Sequence, residues 1–266
     1  NLMLVFIYLK KISKMSIKVY TKNDQANGNF NNGEILEKKP IGFPNDGGEL
    51  KPYSNIFYWA HAWTKSTKST IGLHPHQGFE IWSFILKGKI NHYDTEQKKW
   101  IALKKGDVQI IRSGSGISHA EELMEDTEIF QIWFDPNLSN TLKNRATYDD
   151  YKNDDFKKIN SKNLIVKLIK NTDSKMKMEA EGITIKEYFF KKEIDCYTIK
   201  ILDNYVHSIF IIEGSIKLNN ESYPKGTFFK ISNINEVSIN VESDVKIFEI
   251  TAPQKIKYQT YASTMI

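Results

Sequence analysis

Short apolar runs set between turn residues recur through most of this chain, and no other feature limits its fold so tightly. Residues 55–63, 80–86, 108–111, 127–134, 183–190, 208–212 and 245–250 are rich in Ile, Phe, Tyr and Val. Most are too short for helices, and β-branched and aromatic residues favour the pleated, half-buried surface of a sheet. Strands at this spacing predict an all-β chain with little helix, folded as sandwiches or barrels. The exception is 138–155, polar and charged, with Asp149-Asp150 and Asp154-Asp155 close together. It reads as a linker with room for one short helix, and it divides the chain near residue 150. Trp59, Trp63, Trp82, Trp100 and Trp133, all five tryptophans, precede that point, so the two halves differ in core chemistry.

The halves nevertheless share a plan. Phe84-Ile85-Leu86-Lys87-Gly88-Lys89-Ile90 parallels Phe210-Ile211-Ile212-Glu213-Gly214-Ser215-Ile216, and Gly106-Asp107-Val108-Gln109 parallels Gly226-Thr227-Phe228-Phe229. In each half a strand ends at glycine, a polar hairpin follows, and a second glycine opens a new strand. This predicts two tandem β-barrels: 15–137 for the first, 161–266 for the second, and a linker over 138–160. The parallel stops at the histidines. Counted from the glycines, His74 corresponds to Lys200 and His119 to Ile239, and the second half holds only His207. A histidine metal site is expected in the first half alone.

Composition narrows the function. Lys and Arg (37) exceed Asp and Glu (32) by 5, spread along the chain, which leaves no nucleic-acid footprint. Cys196 is the only cysteine, which excludes an intrachain disulfide framework and a thiolate-held metal and fits a cytoplasmic location. The apolar run over 2–9 is too short for a bilayer, which takes about twenty residues. It also lacks the residue order of a signal peptide, so no membrane association is expected. Met15 opens a β-like run through Tyr20, and residues 1–14 read as an upstream extension.

Any metal must therefore sit on histidine and carboxylate. His61, His74, His76, His92 and His119 lie in the first half. Residues two apart on a strand face the same way, so His74 and His76 project together. Pro75 between them cannot donate to a ladder and puts this stretch at a strand edge or entrance. His119 and Glu121, in Ser118-His119-Ala120-Glu121, repeat the arrangement. Two such pairs on facing strands give three imidazoles and a carboxylate, donors that suit divalent Fe, Mn, Co, Ni, Cu or Zn. The plainer reading leaves His119 beside the Gly114-Ser115-Gly116 turn and Glu121 solvated next to Glu122.

The motifs His74-Pro75-His76-Gln77-Gly78-Phe79-Glu80, Gly106-Asp107-Val108-Gln109 and Ser113-Gly114-Ser115-Gly116-Ile117-Ser118-His119-Ala120-Glu121 resemble the signature of the pirin family. So do Pro40-Ile41-Gly42-Phe43-Pro44 and Gln131-Ile132-Trp133-Phe134. The resemblance covers 15–135 well and the second half loosely. It implies a bicupin, two cupin-type jelly-roll barrels with metal in the first only. It implies that His74, His76, His119 and Glu121 hold one divalent ion, most often iron as Fe(II). In ordinary cupins the glutamate four residues after the second histidine is a ligand; here that is Glu80, whose parity with His76 allows it, whereas pirins use the His-Ala-Glu position. Two departures remove positive charge near the expected site entrance: Gln77 stands where many pirins have a basic residue, and Ser115 where many have arginine.

Some pirins resemble quercetin 2,3-dioxygenases. The resemblance thus implies an iron-dependent dioxygenase that takes a small flavonol-like aromatic enol and O2. Glu121 would be its catalytic base toward the flavonol 3-hydroxyl. Phe79, Trp82, Phe84 and Trp133 are candidates to line an apolar cavity, with ordinary barrel core the stronger competing reading for most of them, and Gly78 would leave room beside the metal. The family's alternative is non-enzymatic: an iron- and redox-sensing partner of regulatory proteins, without direct contact to nucleic acid.

Overall fold

The computed structural model describes residues 16–194 and 196–264; the expected extension over 1–14 lies outside the described residues. Two compact units emerge, each from interleaved stretches of chain. The first comprises Asn23–Asp155, Met176–Glu181 and the residues from Ile256 on. Its larger sheet has seven strands in the spatial order Thr147–Tyr151, Val108–Arg112, Glu80–Lys87, Glu128–Phe134, Ile56–Thr64, Ile35–Ile41, Ala26–Phe30. Its smaller sheet has four, in the order Ser69–His76, Ile117–Leu123, Lys89–Asp94, Ile101–Lys104.

The second unit comprises residues 16–22, Phe156–Lys175 and Gly182–Lys255. It repeats the plan strand for strand: Ile17–Tyr20, Phe228–Ile231, Tyr205–Glu213, Val245–Pro253, Thr184–Phe190, Leu164–Lys170, Lys157–Asn160 in one sheet. The other sheet runs Cys196–Lys200, Glu236–Val241, Ser215–Leu218, Glu221–Pro224. The two glycine frames are where the repeat is most literal. Gly88 and Gly214 have φ of 73° and 76°. A Cβ at Gly88 would lie 2.9 Å from Thr127 Cα, and one at Gly214 would run into the Asp244 carbonyl. Only glycine tolerates that turn and that approach.

The stretch expected to be a linker is mostly built into the first unit. Leu138–Thr141 is a short helix, and Thr147–Tyr151 pairs antiparallel with Val108–Arg112. Its acidic pairs conceal an edge strand, where charge is tolerated because one side faces no partner strand; Asp149 accepts from Arg112 Nη1 at 2.8 Å. Met176–Glu181 also returns to this unit. Among the described residues no helix is long and apolar enough to cross a membrane.

Strand alternation sets what faces the interior. The inward positions of Glu80–Lys87 read Ile81, Ser83, Ile85; those of Ile117–Leu123 read Ile117, His119, Glu121, Leu123. Ile81, Ile111, Ile117 and Phe79 belong to one apolar cluster, and Ile85, Ile90, Leu123 and Ile129 to another. A polar tier separates the two. The second unit instead holds a large apolar cluster that includes Ile209, Ile211, Phe229, Ile239 and Val241.

Candidate metal centre

The Ile117–Leu123 strand lies between Ser69–His76 and Lys89–Asp94, and its register aligns the polar tier. His119 stands opposite His74 on one side and Asp94 on the other; Ile117 is opposite His76, and Glu121 is opposite His92. A bulge between His119 and Glu121 shifts the register on the Ser69–His76 side. Ring centroids of His74 and His76 are 4.4 and 4.9 Å from that of His119. Ligand atoms of His74, His76 and His119 all lie within 4.8 Å of one another, and so do those of His92, His119 and Glu121. His119 is common to both groups.

Hydrogen bonds fix which nitrogens are left to bind. His74 Nδ1 donates to the Gly72 carbonyl at 2.8 Å, so Nε2 keeps the lone pair. His76 Nε2, His92 Nδ1 and both nitrogens of His119 are buried without a hydrogen-bond partner. Such groups cost about 1–3 kcal/mol each when left unsatisfied. Burial, with His74 beside it, pushes the His76 imidazole down to about 4. Burial and the three neighbouring imidazoles hold His119 well below the usual histidine range. Neutral rings with free lone pairs are the form that metals bind.

Glu121 is fully enclosed and held by three neutral donors. Oε1 accepts from Ser83 Oγ at 3.0 Å and from Gln109 Nε2 at 2.6 Å, and Oε2 accepts from Gln131 Nε2 at 2.5 Å. Trp133 Nε1 donates to Gln131 Oε1 at 3.2 Å, which turns the amide nitrogen toward Glu121. A carboxylate has about four acceptor positions; Oε1 has used two, and Oε2 keeps one open. This cluster of imidazoles and one oriented carboxylate fits a divalent cation. A cavity of about 510 Å³ opens at His76, lined by Pro75, Gln77, Thr95 and the 115–118 segment.

The pirin family model matches residues 49–134, the segment that carries the cluster. A pirin-like protein of Caulobacter vibrioides is 45% identical over 65 residues, 24% of this chain and 28% of its own length. Over residues 49–134 the chain is pirin-like. A quercetin 2,3-dioxygenase of Escherichia coli K12 is 25% identical to this chain over 185 residues, 68% of this chain and 76% of that one. The crystal structure of a bacterial pirin from E. coli in complex with nickel(II) superposes with a TM-score of 0.74 at 18% identity, covering 90% of this chain and all of that one. The shared fold is the all-β bicupin.

Several expectations for this chain change in detail. His119 and Glu121 are neither turn nor surface residues; both are buried. Glu121 groups with His119 but takes His92, not His74 and His76, as its other close neighbour. Glu80 faces away: its Oε1 and Oε2 accept the backbone N–H of Glu179 and Ala180, both at 2.9 Å. Its parity with His76 does not carry over because the chain turns at Gly78, φ 88°, between the two strands. Gly78 leaves no room beside the imidazoles; a Cβ there would lie 3.1 Å from both Leu138 and Leu142. Phe79 and Trp133 stack and flank His76 at 5.3 and 5.2 Å. Trp82 and Phe84 alternate with inward-facing Ser83 and so occupy the opposite face of the sheet. His61 pairs with Glu128 at 3.2 Å. The member that sequence reading passes over is His92. Its signal was the alternation Ile90, His92, Asp94 directly after Gly88, with the same period as the two recognised pairs.

Proposed function

We propose that this chain is a metal-dependent dioxygenase of the quercetin 2,3-dioxygenase type, holding Fe(II) on His74, His76, His119 and Glu121 and acting on a flavonol-like aromatic enol. The observation that carries the reading is a buried set of imidazole nitrogens without protein partners, beside a carboxylate with one lone pair open. A divalent ion bound there supplies Lewis acidity and eases deprotonation of an enol. Glu121 Oε2 carries the one open acceptor position, since Ser83 and Gln109 already occupy Oε1, so the carboxylate takes that proton there when it is released from the ion but still beside it. Gln131 and Trp133 hold the carboxylate in that orientation, so little reorganisation accompanies the transfer. Phe79 and Trp133 offer flat apolar surface next to His76 for an aromatic ring. The cavity mouth carries no Asp, Glu, Lys or Arg, which suits an uncharged polyphenol better than a carboxylate. The names of relatives add support.

The test is aerobic incubation of the iron-loaded protein with quercetin, following loss of flavonol absorbance and release of carbon monoxide. Turnover with both signals is the expected result. No turnover with Fe, Mn, Co, Ni or Cu would overturn the enzymatic reading and leave the binding role of the family.

A further inference from the structure

We propose that His92 is a further ligand of the same centre, offering Nδ1 and fixed in place by Asp94, so that the ion is held from an inner side by His92, His119 and Glu121. The proposal rests on reading the cluster as a metal centre, and it adds to that reading a donor outside its four residues.

Four observations converge on it. A ligand atom of His92 lies within 4.8 Å of ligand atoms on both His119 and Glu121, and all three side chains are buried. The tautomer is set by Asp94, whose Oδ2 lies 2.7 Å from His92 Nε2. Oδ1 of the same carboxylate accepts the backbone N–H of Glu96 and Gln97 at 2.8 and 2.6 Å, so the group acts as an acceptor throughout. With Nε2 donating to Asp94, the electron pair rests on Nδ1, and that nitrogen has no hydrogen-bond partner at 0% exposure. A carboxylate on one ring nitrogen and a metal on the other is a recurrent way of orienting and strengthening a histidine ligand.

The ring plane is fixed as well. Tyr148 stacks on His92 with centroids 4.6 Å apart and planes within 8°. Finally, the fold does not demand a histidine there. Four residues after Gly214, where His92 follows Gly88, the second unit has Leu218, buried in its apolar cluster. A polar ring with an unsatisfied nitrogen is retained only in the unit that carries the other donors.

The test measures Ni(II) affinity by competition with a chromophoric chelator, and Cu(II) coordination by electron paramagnetic resonance. It compares the full chain with His92→Leu, Asp94→Asn and, as control, His119→Ile. His92→Leu should weaken Ni(II) binding about a hundredfold and Asp94→Asn about tenfold. His92→Leu should also remove one nitrogen coupling from the Cu(II) spectrum, which a purely structural role would not do. Ni(II) affinities within twofold of the unaltered chain, with an unchanged Cu(II) spectrum and loss only in His119→Ile, would overturn the role of His92 while leaving the metal centre standing. If the unaltered chain bound neither ion, the metal reading would fall and this proposal with it. Should His92→Leu fail to fold, Asp94→Asn decides alone: unchanged affinity and spectrum overturn the proposal.

Discussion

Ser83, His92, Gln109, His119 and Glu121 build the polar tier of the first unit; at the same distances from the repeat glycines the second unit has Ile209, Leu218, Phe229, Ile239 and Val241. All five belong to its apolar cluster. The same strand order therefore closes around either a dry core or a ring of donors, and the frame does not require the polar version. The second unit also shows what a structural histidine looks like. His207 Nδ1 lies 2.7 Å from Glu249, the Leu202 N–H donates to Nε2 at 3.0 Å, and Tyr188 completes the carboxylate at 2.6 Å. Both of its nitrogens are satisfied within the protein. In the first unit four buried imidazole nitrogens are not. Pairing, rather than burial or residue type, separates the two.

Exchanging residues between the units tests this contrast most directly. His119→Ile, which copies Ile239, should abolish metal occupancy by elemental analysis, the largest effect expected. The same change should make the metal-free protein more stable by about 1–3 kcal/mol in urea unfolding, because two orphaned nitrogens disappear. A metal-free protein destabilised by that change would break the comparison.

Glu121→Val copies Val241 and acts in the opposite direction. It leaves the Ser83, Gln109 and Gln131 donors facing an apolar side chain, and should destabilise the metal-free chain by about 3 kcal/mol. Adding Ser83→Ile and Gln109→Phe should recover most of that loss, and a double-mutant cycle would read the coupling. Purely additive effects would mean that the tier is not one network.

The third effect is smaller and depends on pH. His76 and His119 have folded pKa values pushed below the ordinary histidine value, His76 to about 4. The unfolded chain takes up their protons first. Their contribution is therefore complete above about pH 6.5 and is lost as pH falls toward 4 and below, at most about 1.4 kcal/mol per pH unit for each ring. Urea midpoints of the metal-free protein at pH 7.5, 6 and 5 should fall in that order, and more gently in His119→Ile. Equal slopes in the two proteins would show that His119 does not carry this dependence.

Much of this was legible in the residues, for a physical reason: strand periodicity is rigid. Two-residue spacing put His74 with His76 and His119 with Glu121, and the register of neighbouring strands then brought the three imidazoles together. The glycine frames were readable because positive φ and close backbone approach leave few substitutes. What was hidden follows from longer-range facts. The edge strand over Thr147–Tyr151 reads as loop because Asp149 is matched by Arg112, 37 residues earlier. Parity alone does not exclude Glu80 as a ligand; the turn at Gly78 does, and the carboxylate instead takes the structural role of accepting the Glu179 and Ala180 N–H groups. His92 was overlooked because its partner across the sheet, Glu121, is set by strand order, which no local pattern encodes.

One connection bears on how the protein is made. The carboxylate of Asp135 accepts the backbone N–H of Tyr261 and Ala262 at 3.0 and 2.9 Å, and the Tyr261 hydroxyl donates to the Gln77 carbonyl at 3.2 Å, next to His76. During synthesis the first unit must wait for Tyr261 and Ala262 before these bonds can close. Translation proceeds at about 5–20 residues per second, so its histidine-bearing rim waits roughly ten to forty seconds for that clasp, 184 residues later.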